Sequence, residues 1–224
     1  MKVHHPAAFS DAIIRFLANS SIVPDGVLID PFCGVGKVHQ LATVSRRIVG
    51  IEIEPVWAAQ HPDTIVGNAL QLPFGEEVFD GAITSPCYGN RMSDSHNAKD
   101  GSLRRSYTHD LQRTVGDTSV KLHPDNSGTL YCWQPAYWRF HGRAWQEVHR
   151  VLRPGATFLL NVSDCYRTVK GERRQERVVD THALLCLSLG FELVERHSVA
   201  TPRMRYGTND HRVEAETVLE FRRP

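Results

Sequence analysis

The chain has 224 residues, of which 41% are hydrophobic and 23% charged, a balance typical of a globular domain. This length predicts one domain over residues 1–224, with enough core to fold without disulfide or metal support. Lysine and arginine together number 26, and aspartate and glutamate 25, so the formal net charge is +1. That balance excludes a globally basic nucleic-acid coat protein and an acidic disordered chain.

Apolar runs rich in valine, isoleucine and leucine alternate along the chain with segments of helical periodicity. The runs predict strands over 27–32, 47–55, 64–68, 78–86, 157–164, 191–199 and 216–223. The intervening segments predict helices over 8–19, 36–45, 55–60, 135–151 and 179–189. Such alternation is typical of α/β proteins. It predicts a Rossmann-like, doubly wound fold around a mostly parallel, seven-stranded sheet.

Residues 89–134 interrupt this alternation. They are polar, rich in glycine, serine, aspartate, histidine and arginine, and they carry little periodicity. An irregular stretch of this length inside a compact domain is usually functional or mobile. We therefore predict one irregular insertion here, and we regard it as the main candidate for target recognition.

Other features of the sequence concern the compartment and metal binding. The five cysteines are odd in number and none belongs to a C-x-x-C pair, which favours reduced thiols. Residues 1–6 lack the apolar run of a signal peptide, and no stretch approaches the roughly 20 apolar residues of a membrane span. The histidines show no H-x-x-H or H-E-x-x-H spacing. We expect a cytoplasmic protein with no metal and no membrane partner.

A glycine-containing turn, Asp30-Pro31-Phe32-Cys33-Gly34-Val35-Gly36, follows the first predicted strand. Glycines allow a sharp turn and a close approach of the backbone to a ligand. Glu52, at the end of the second strand, is placed to accept both hydroxyls of a ribose. His39 replaces the third glycine of G-x-G-x-x-G, which disfavours a pyrophosphate-binding site and favours a nucleoside cofactor. The alternative is a tight turn without a ligand.

A second turn, Thr84-Ser85-Pro86-Cys87-Tyr88, ends the fourth predicted strand and so lies on the same sheet edge. An exocyclic amine of a nucleobase is a poor nucleophile, because its lone pair is delocalised into the ring. Hydrogen bonds to the Ser85 hydroxyl and the Pro86 carbonyl would hold that amine in position for attack. The Tyr88 ring offers a face on which an extruded base can stack. The alternative is an ordinary proline turn.

These motifs resemble those of the S-adenosylmethionine-dependent DNA amino-methyltransferases, which modify cytosine N4 or adenine N6. The turn ending at Gly36 resembles their cofactor motif, and GIEIEP at 50–55 is similar to their second motif, whose acid binds the ribose. Gly67-Asn68-Ala69 resembles a stretch that usually reads Gly-Asp-Ala and contacts the adenine. Here Asn68 keeps the hydrogen bonding and loses the charge. The resemblance implies S-adenosylmethionine as cofactor, held by Phe9, Asp30, Phe32, Gly34, Gly36, Glu52, Ile53, Asn68 and Ala69.

The second turn resembles the family's catalytic Ser-Pro-Pro-Tyr motif. The resemblance implies that Ser85, Pro86 and Tyr88 are catalytic, and a leading serine favours cytosine N4 over adenine N6. Cys87 replaces the second proline, which predicts a less rigid loop. A nucleophilic Cys87, as in cytosine C5 methylation, is disfavoured because the glutamate motif of that chemistry is not evident.

Basic residues in two segments are candidates for phosphate contacts with DNA whose target base is flipped or single-stranded. These candidates are Arg91, Arg104, Arg105, Arg173 and Arg174. Three alternatives remain open: methylation of guanosine N2 in RNA, methylation of a protein glutamine, and a non-catalytic module that binds cofactor or nucleic acid. The oligomeric state is not predicted.

Overall fold

The computed structural model describes residues 3, 5–89, 106–201 and 215–224. The helices in these ranges are α1 (Asp11–Ala18), α2 (Pro55–Ala58), α3 (Tyr107–Val115), α4 (Pro135–Val151) and α5 (Val178–Ser188). The first five strands are β1 (Gly26–Asp30), β2 (Arg46–Glu52), β3 (Thr64–Val66), β4 (Phe79–Thr84) and β5 (Leu152–Val162). The remaining strands are β6 (Cys165–Val169), β7 (Glu172–Glu176), β8 (Glu192–Ala200) and β9 (Ala215–Arg222).

Seven strands form the main sheet, in the order β3-β2-β1-β4-β5-β9-β8. The first five pair in parallel, and β9 runs antiparallel between β5 and β8. The predicted mostly parallel, seven-stranded, Rossmann-like sheet is therefore confirmed. Because the parallel strands share one direction, the segments that follow β1 to β4 all emerge at the same edge.

Helices cover both faces of this sheet, as expected for a doubly wound fold. On one face, α4 and α5 bury Trp145, Val148 and Cys186 against Phe158 and Phe221. On the other face, α1 buries its apolar side on the sheet together with the short turn at 37–41. Removing this apolar surface from water provides the main stabilisation of the fold, at about 25 cal/mol per Å².

The predicted helix over 36–45 is wrong. The chain forms a 3-10 turn over Lys37–Leu41 and then returns to extended backbone at Ala42. Val38 and Leu41 are buried, whereas Val44 is fully exposed. One helical turn is enough to point Val38 and Leu41 at the core. Since Val44 makes no core contact, burial does not stabilise a longer helix.

The insertion is less irregular than the sequence predicts, since α3 lies within it. Ser106 caps the first turn by accepting a hydrogen bond from the His109 amide, and Gly116 ends the helix in a left-handed conformation. The buried stripe contains the polar residues Asp110 and Thr114 beside two apolar ones. Because polar and apolar residues share the buried face, the hydrophobic pattern alone does not indicate this helix.

The basic stretch after β5 is a hairpin and not a loop. β6 and β7 pair in antiparallel fashion, and Lys170 and Gly171 connect them with φ values of 51° and 83°. A two-residue turn with positive φ at both positions matches the right-handed twist of the two strands that it connects. All but the last residue of β7 are exposed. Because apolar and polar residues do not alternate along β7, the sequence pattern does not indicate a strand there.

The five cysteines are free and buried. Within the described ranges, no helix combines the length and the apolar character needed to cross a membrane.

Candidate active site

A cavity opens where the segments after β1, β2, β3 and β4 converge. Its wall contains Gly34 from the first segment, Glu52 and Ile53 from the second, Asn68 and Ala69 from the third and Ser85 from the fourth. The two motifs singled out in the sequence therefore face one cavity. This is the position at which open α/β sheets bind ligands.

Glu52 anchors the centre of the cavity. One carboxylate oxygen accepts the Gly34 amide at 2.9 Å and the other accepts the Glu54 amide at 2.9 Å. Gly34 has a φ of 57°, and a Cβ there would lie 3.1 Å from the His5 ring, so glycine is required for this close turn. Burial raises the pKa of Glu52 to about 7 despite these two hydrogen bonds. Each carboxylate oxygen retains lone-pair capacity for a ligand hydroxyl.

Asp30 is not among the residues that line the cavity. Its carboxylate is fully buried and accepts the Phe32 amide at 2.9 Å and the Thr84 hydroxyl at 2.6 Å. It thus ties the end of β1 to the end of β4, next to the cavity-lining Pro31. Burial raises its pKa to about 7, and its second carboxylate oxygen has no hydrogen-bond partner among the described residues.

We expect Asp30→Asn to flatten part of the pH dependence of stability. The unfolded carboxyl titrates near 3.8 and the folded one near 7, so the contribution of Asp30 to folding stability is greatest below pH 4 and is lost as the pH rises through 7. A shift of this size corresponds to about 4 kcal/mol. Urea unfolding at pH 4.5 and pH 8 measures the difference. An equal loss of stability in wild type and Asp30→Asn would contradict the expectation.

Ser85 belongs to a polar network at the carboxyl ends of β4 and β5. The Asn161 amide nitrogen lies 3.1 Å from the Ser85 hydroxyl and 2.7 Å from both the Tyr88 hydroxyl and the Glu216 carboxylate. The Tyr88 hydroxyl donates to Glu216 at 3.0 Å and lies 2.9 Å from the Ser85 oxygen. The Ser85 proton can therefore point at Tyr88, which leaves a serine lone pair to accept an N–H group.

Hydrogen bonds hold the loop at Cys87, the position at which the similar motif of the sequence comparison has a second proline. The Cys87 carbonyl accepts the Tyr137 hydroxyl at 2.9 Å, and Tyr137 also lies 3.1 Å from His182. The indole of Trp145 donates to His182 from the other side at 3.1 Å. The predicted loss of rigidity is thus offset by a buried network from α4 and α5. Burial raises the pKa of the Cys87 thiol, so it lacks the thiolate that nucleophilic attack requires.

The described part of the insertion contacts the segment that follows β2, at one side of the cavity. The Glu54 carboxylate accepts the His123 amide at 2.9 Å and the Asn126 side-chain amide at 2.7 Å. Tyr107 of α3 packs edge-on against Trp57. The sequence identified this segment only as a candidate for target recognition, because these contacts join residues 50 or more positions apart.

The predicted site residues divide into three groups. The cavity wall contains Phe9, Phe32, Gly34, Glu52, Ile53, Asn68, Ala69 and Ser85. Four predicted residues are not in the wall, although each is next in sequence to a wall residue: Asp30, Gly36, Pro86 and Tyr88. Arg91, Arg104 and Arg105 lie outside the described residues, and Arg173 and Arg174 lie on β7. Asp125, Asn126 and Ser127 also line the cavity and were not predicted from the sequence.

A group of possible metal ligands lies away from the cavity, on β8 and β9. One ligand atom each from Glu195, His197 and Glu220 falls within 4.8 Å of the others. The His197 ring already lies 2.8 Å from the Glu220 carboxylate. Because two strands contribute these residues, no local spacing in the sequence signals the group.

The strand order, the antiparallel β9 and the cavity at the carboxyl ends of β1 to β4 define the Rossmann-like fold of S-adenosylmethionine-dependent methyltransferases. Solved structures share it. A SAM-dependent methyltransferase from Methanosarcina mazei is 16% identical, with a TM-score of 0.51 over 89% of this chain and 92% of that one. The glycopeptide N-methyltransferase MtfA is 10% identical, with a TM-score of 0.55 over 96% of both chains.

The same fold also occurs outside methyl transfer. The cyclase SpnF is 15% identical, with a TM-score of 0.56 over 100% of this chain and 88% of that one. No family model matches the sequence, and no curated protein matches it. The likeness therefore establishes the fold and not the reaction.

Proposed function

We propose that the protein is a methyltransferase that transfers a methyl group from S-adenosylmethionine to an exocyclic base amine in DNA, with cytosine N4 as the preferred acceptor. One observation carries the proposal. Ser85, the residue suited to hold an amine, lies in the wall of the same cavity as Glu52, the residue suited to hold a ribose. One cavity therefore offers a residue for the ribose of the methyl donor and a residue for the acceptor amine.

The donor set of the cavity fits S-adenosylmethionine. Glu52 offers a buried carboxylate for the ribose hydroxyls, and the loop at Gly34 lets the backbone approach closely. Phe9 and Ile53 supply apolar surface in the same wall. When bound, this cofactor supplies a methyl group on a positively charged sulfur, which is electrophilic enough for direct attack by nitrogen.

The residues of the chain prepare the acceptor amine. The Ser85 oxygen accepts one N–H bond and thereby fixes the direction of the nitrogen lone pair, and the Pro86 carbonyl is the proposed second acceptor. The amine must lose a proton as the N–C bond forms. The hydrogen-bonded series Ser85–Tyr88–Glu216 can pass that proton on, since it ends on a carboxylate. Stacking of a base on the Tyr88 ring stays a prediction.

The hairpin supports nucleic acid as the acceptor. It follows the carboxyl end of β5, on the same sheet edge as the cavity, and residues 165–177 contain five basic and two acidic residues. Arg167 lies over the Trp133 ring, 5.3 Å from its centroid, and Arg173 lies over Tyr166 at 4.8 Å. Arg173 is exposed and Arg167 is half-buried. Arginines beside aromatic rings suit the phosphates and bases of an unpaired strand. Extruding a base from a duplex costs a few kcal/mol, which such contacts offset.

Labelled S-adenosylmethionine and purified protein test the proposal directly. DNA, RNA and a glutamine-containing peptide are offered in parallel, and the products are digested and identified by mass spectrometry. We expect N4-methylcytosine from DNA. Label only in RNA or only in the peptide would overturn the DNA assignment in favour of guanosine N2 or glutamine methylation. Cofactor binding without any methylated product would identify a non-catalytic module.

The hairpin arginines should contribute to DNA affinity through counterion release. We expect the Arg173→Ser, Arg174→Ser double variant to weaken DNA binding and to lower the slope of log K against log salt by about 2. Fluorescence anisotropy over a salt series measures this slope. Arg47→Ser with Arg153→Ser is the matched control, because both residues lie at the amino ends of strands on the opposite edge. An equal slope change in both double variants would place the DNA elsewhere.

A further inference from the structure

The amide of Asn68 and the carboxylate of Asp125 form a pair in the cavity wall. The Asn68 side-chain nitrogen donates to Asp125 at 2.9 Å, and the Asn68 side-chain oxygen accepts the Leu70 amide at 2.9 Å. The second proton of the Asn68 amide has no further partner among the described residues. Asp125 comes from the insertion, 57 positions away in sequence. The pair therefore presents a carboxylate acceptor directly beside an N–H donor.

The strand order indicates which part of a bound nucleoside meets this pair. Along the cavity edge the strands lie in the order β4, β1, β2 and β3, so Ser85 stands at one end and Asn68 at the other. Glu52, after β2, stands between them. If the ribose lies at Glu52 and the reactive group points to Ser85, the base occupies the end that holds Asn68 and Asp125.

We propose that Asp125 is a binding residue for the 6-amino group of the cofactor's adenine, a role in which the insertion supplies the charge that position 68 lacks. The assignment rests on the proposed function. Adenine presents an N–H donor at its 6-position beside a ring-nitrogen acceptor. The acceptor of Asp125 beside the donor of Asn68 is complementary to that pattern. A 6-oxopurine presents the reverse pattern and meets a carboxylate with its oxygen, which is repulsive.

Isothermal titration calorimetry on the full chain tests the assignment without catalysis. The probes are S-adenosylhomocysteine and S-inosylhomocysteine, which differ in the 6-amino and 6-oxo groups of the purine. We expect wild type to bind the adenosyl compound about tenfold or more tightly than the inosyl compound. Asp125→Asn should reduce or reverse this ratio, since the new amide can donate to a 6-oxo group. Asp117→Asn, an exposed aspartate of the same insertion, should leave it unchanged.

An exchange of the two side chains separates recognition from folding. Asn68→Asp with Asp125→Asn keeps one acid and one amide in contact, so we expect it to retain more preference for the adenosyl compound than Asp125→Asn alone. An unchanged ratio in Asp125→Asn and Asp125→Ala, with both probes still bound, would overturn the role of Asp125 and leave the proposed function standing. Failure of wild type to bind either probe would overturn both.

Discussion

Ser85→Ala is expected to lower the rate of methyl transfer by about 10²- to 10³-fold, the usual effect of removing one positioned hydrogen-bonding group from a reacting centre. Removing the Ser85 hydroxyl removes one of the two proposed acceptors of the amine. The amine can then rotate away from the orientation required for attack. Affinity for S-adenosylhomocysteine should change little, because Glu52 and Asn68 remain. Single-turnover kinetics with labelled cofactor separates the chemical step from binding.

Ser163→Ala is the matched control for this variant. Ser163 follows a neighbouring strand and is buried, whereas Ser85 is half-buried. The Ser163 hydroxyl donates to the Asp164 carbonyl, and Ser163 does not line the cavity. We expect it to leave the chemical step near the wild-type rate. Equal rate losses in both variants, or a loss in Ser85→Ala that is entirely one of cofactor affinity, would refute a positioning role for Ser85.

Local signals in the sequence were sufficient for the sheet and for much of the cavity. The strands ending at Asp30, Glu52 and Thr84 are mainly apolar, and each is followed by a turn that contains glycine or proline. The helix Pro135–Val151 has the predicted bounds, since a proline at its first position and a buried aromatic stripe mark it clearly. Parallel strand order then brings the segments after these strands together without further information.

The contribution of the insertion to the cavity wall could not be predicted, because it depends on contacts between residues far apart in the sequence. Asp125 and Asn126 are ordinary polar residues in the sequence, and only the folded chain brings them to Asn68 and Glu54. Glu216 illustrates the same limit. As part of an apolar strand pattern it signals a sheet, whereas its contact with Tyr88 spans 128 positions. Pairwise chemistry between distant segments leaves no local period to detect.

Glu52→Gln is expected to weaken binding of S-adenosylhomocysteine by about 100-fold or more, the equivalent of losing one to two charge-assisted hydrogen bonds. The glutamine has one acceptor oxygen, while both the Gly34 and the Glu54 amides point at the side chain. One of these buried N–H groups must then face the new NH₂ group. The ribose hydroxyls also lose a charged acceptor. Isothermal titration calorimetry at pH 8 measures the loss.

The pH dependence of binding identifies the group responsible. Because the pKa of Glu52 is raised to about 7, lowering the pH from 8 to 6 protonates the carboxylate and should weaken binding in wild type. Glu52→Gln removes that titration, so its affinity should stay flat over the same range. Asp30 shares a pKa of about 7 but lies off the cavity, which makes Asp30→Asn the decisive control. If Asp30→Asn abolishes the pH dependence and Glu52→Gln retains it, the ribose acceptor has been misassigned. The opposite result ties cofactor affinity to the one carboxylate that joins the glycine turn after β1 to the end of β2.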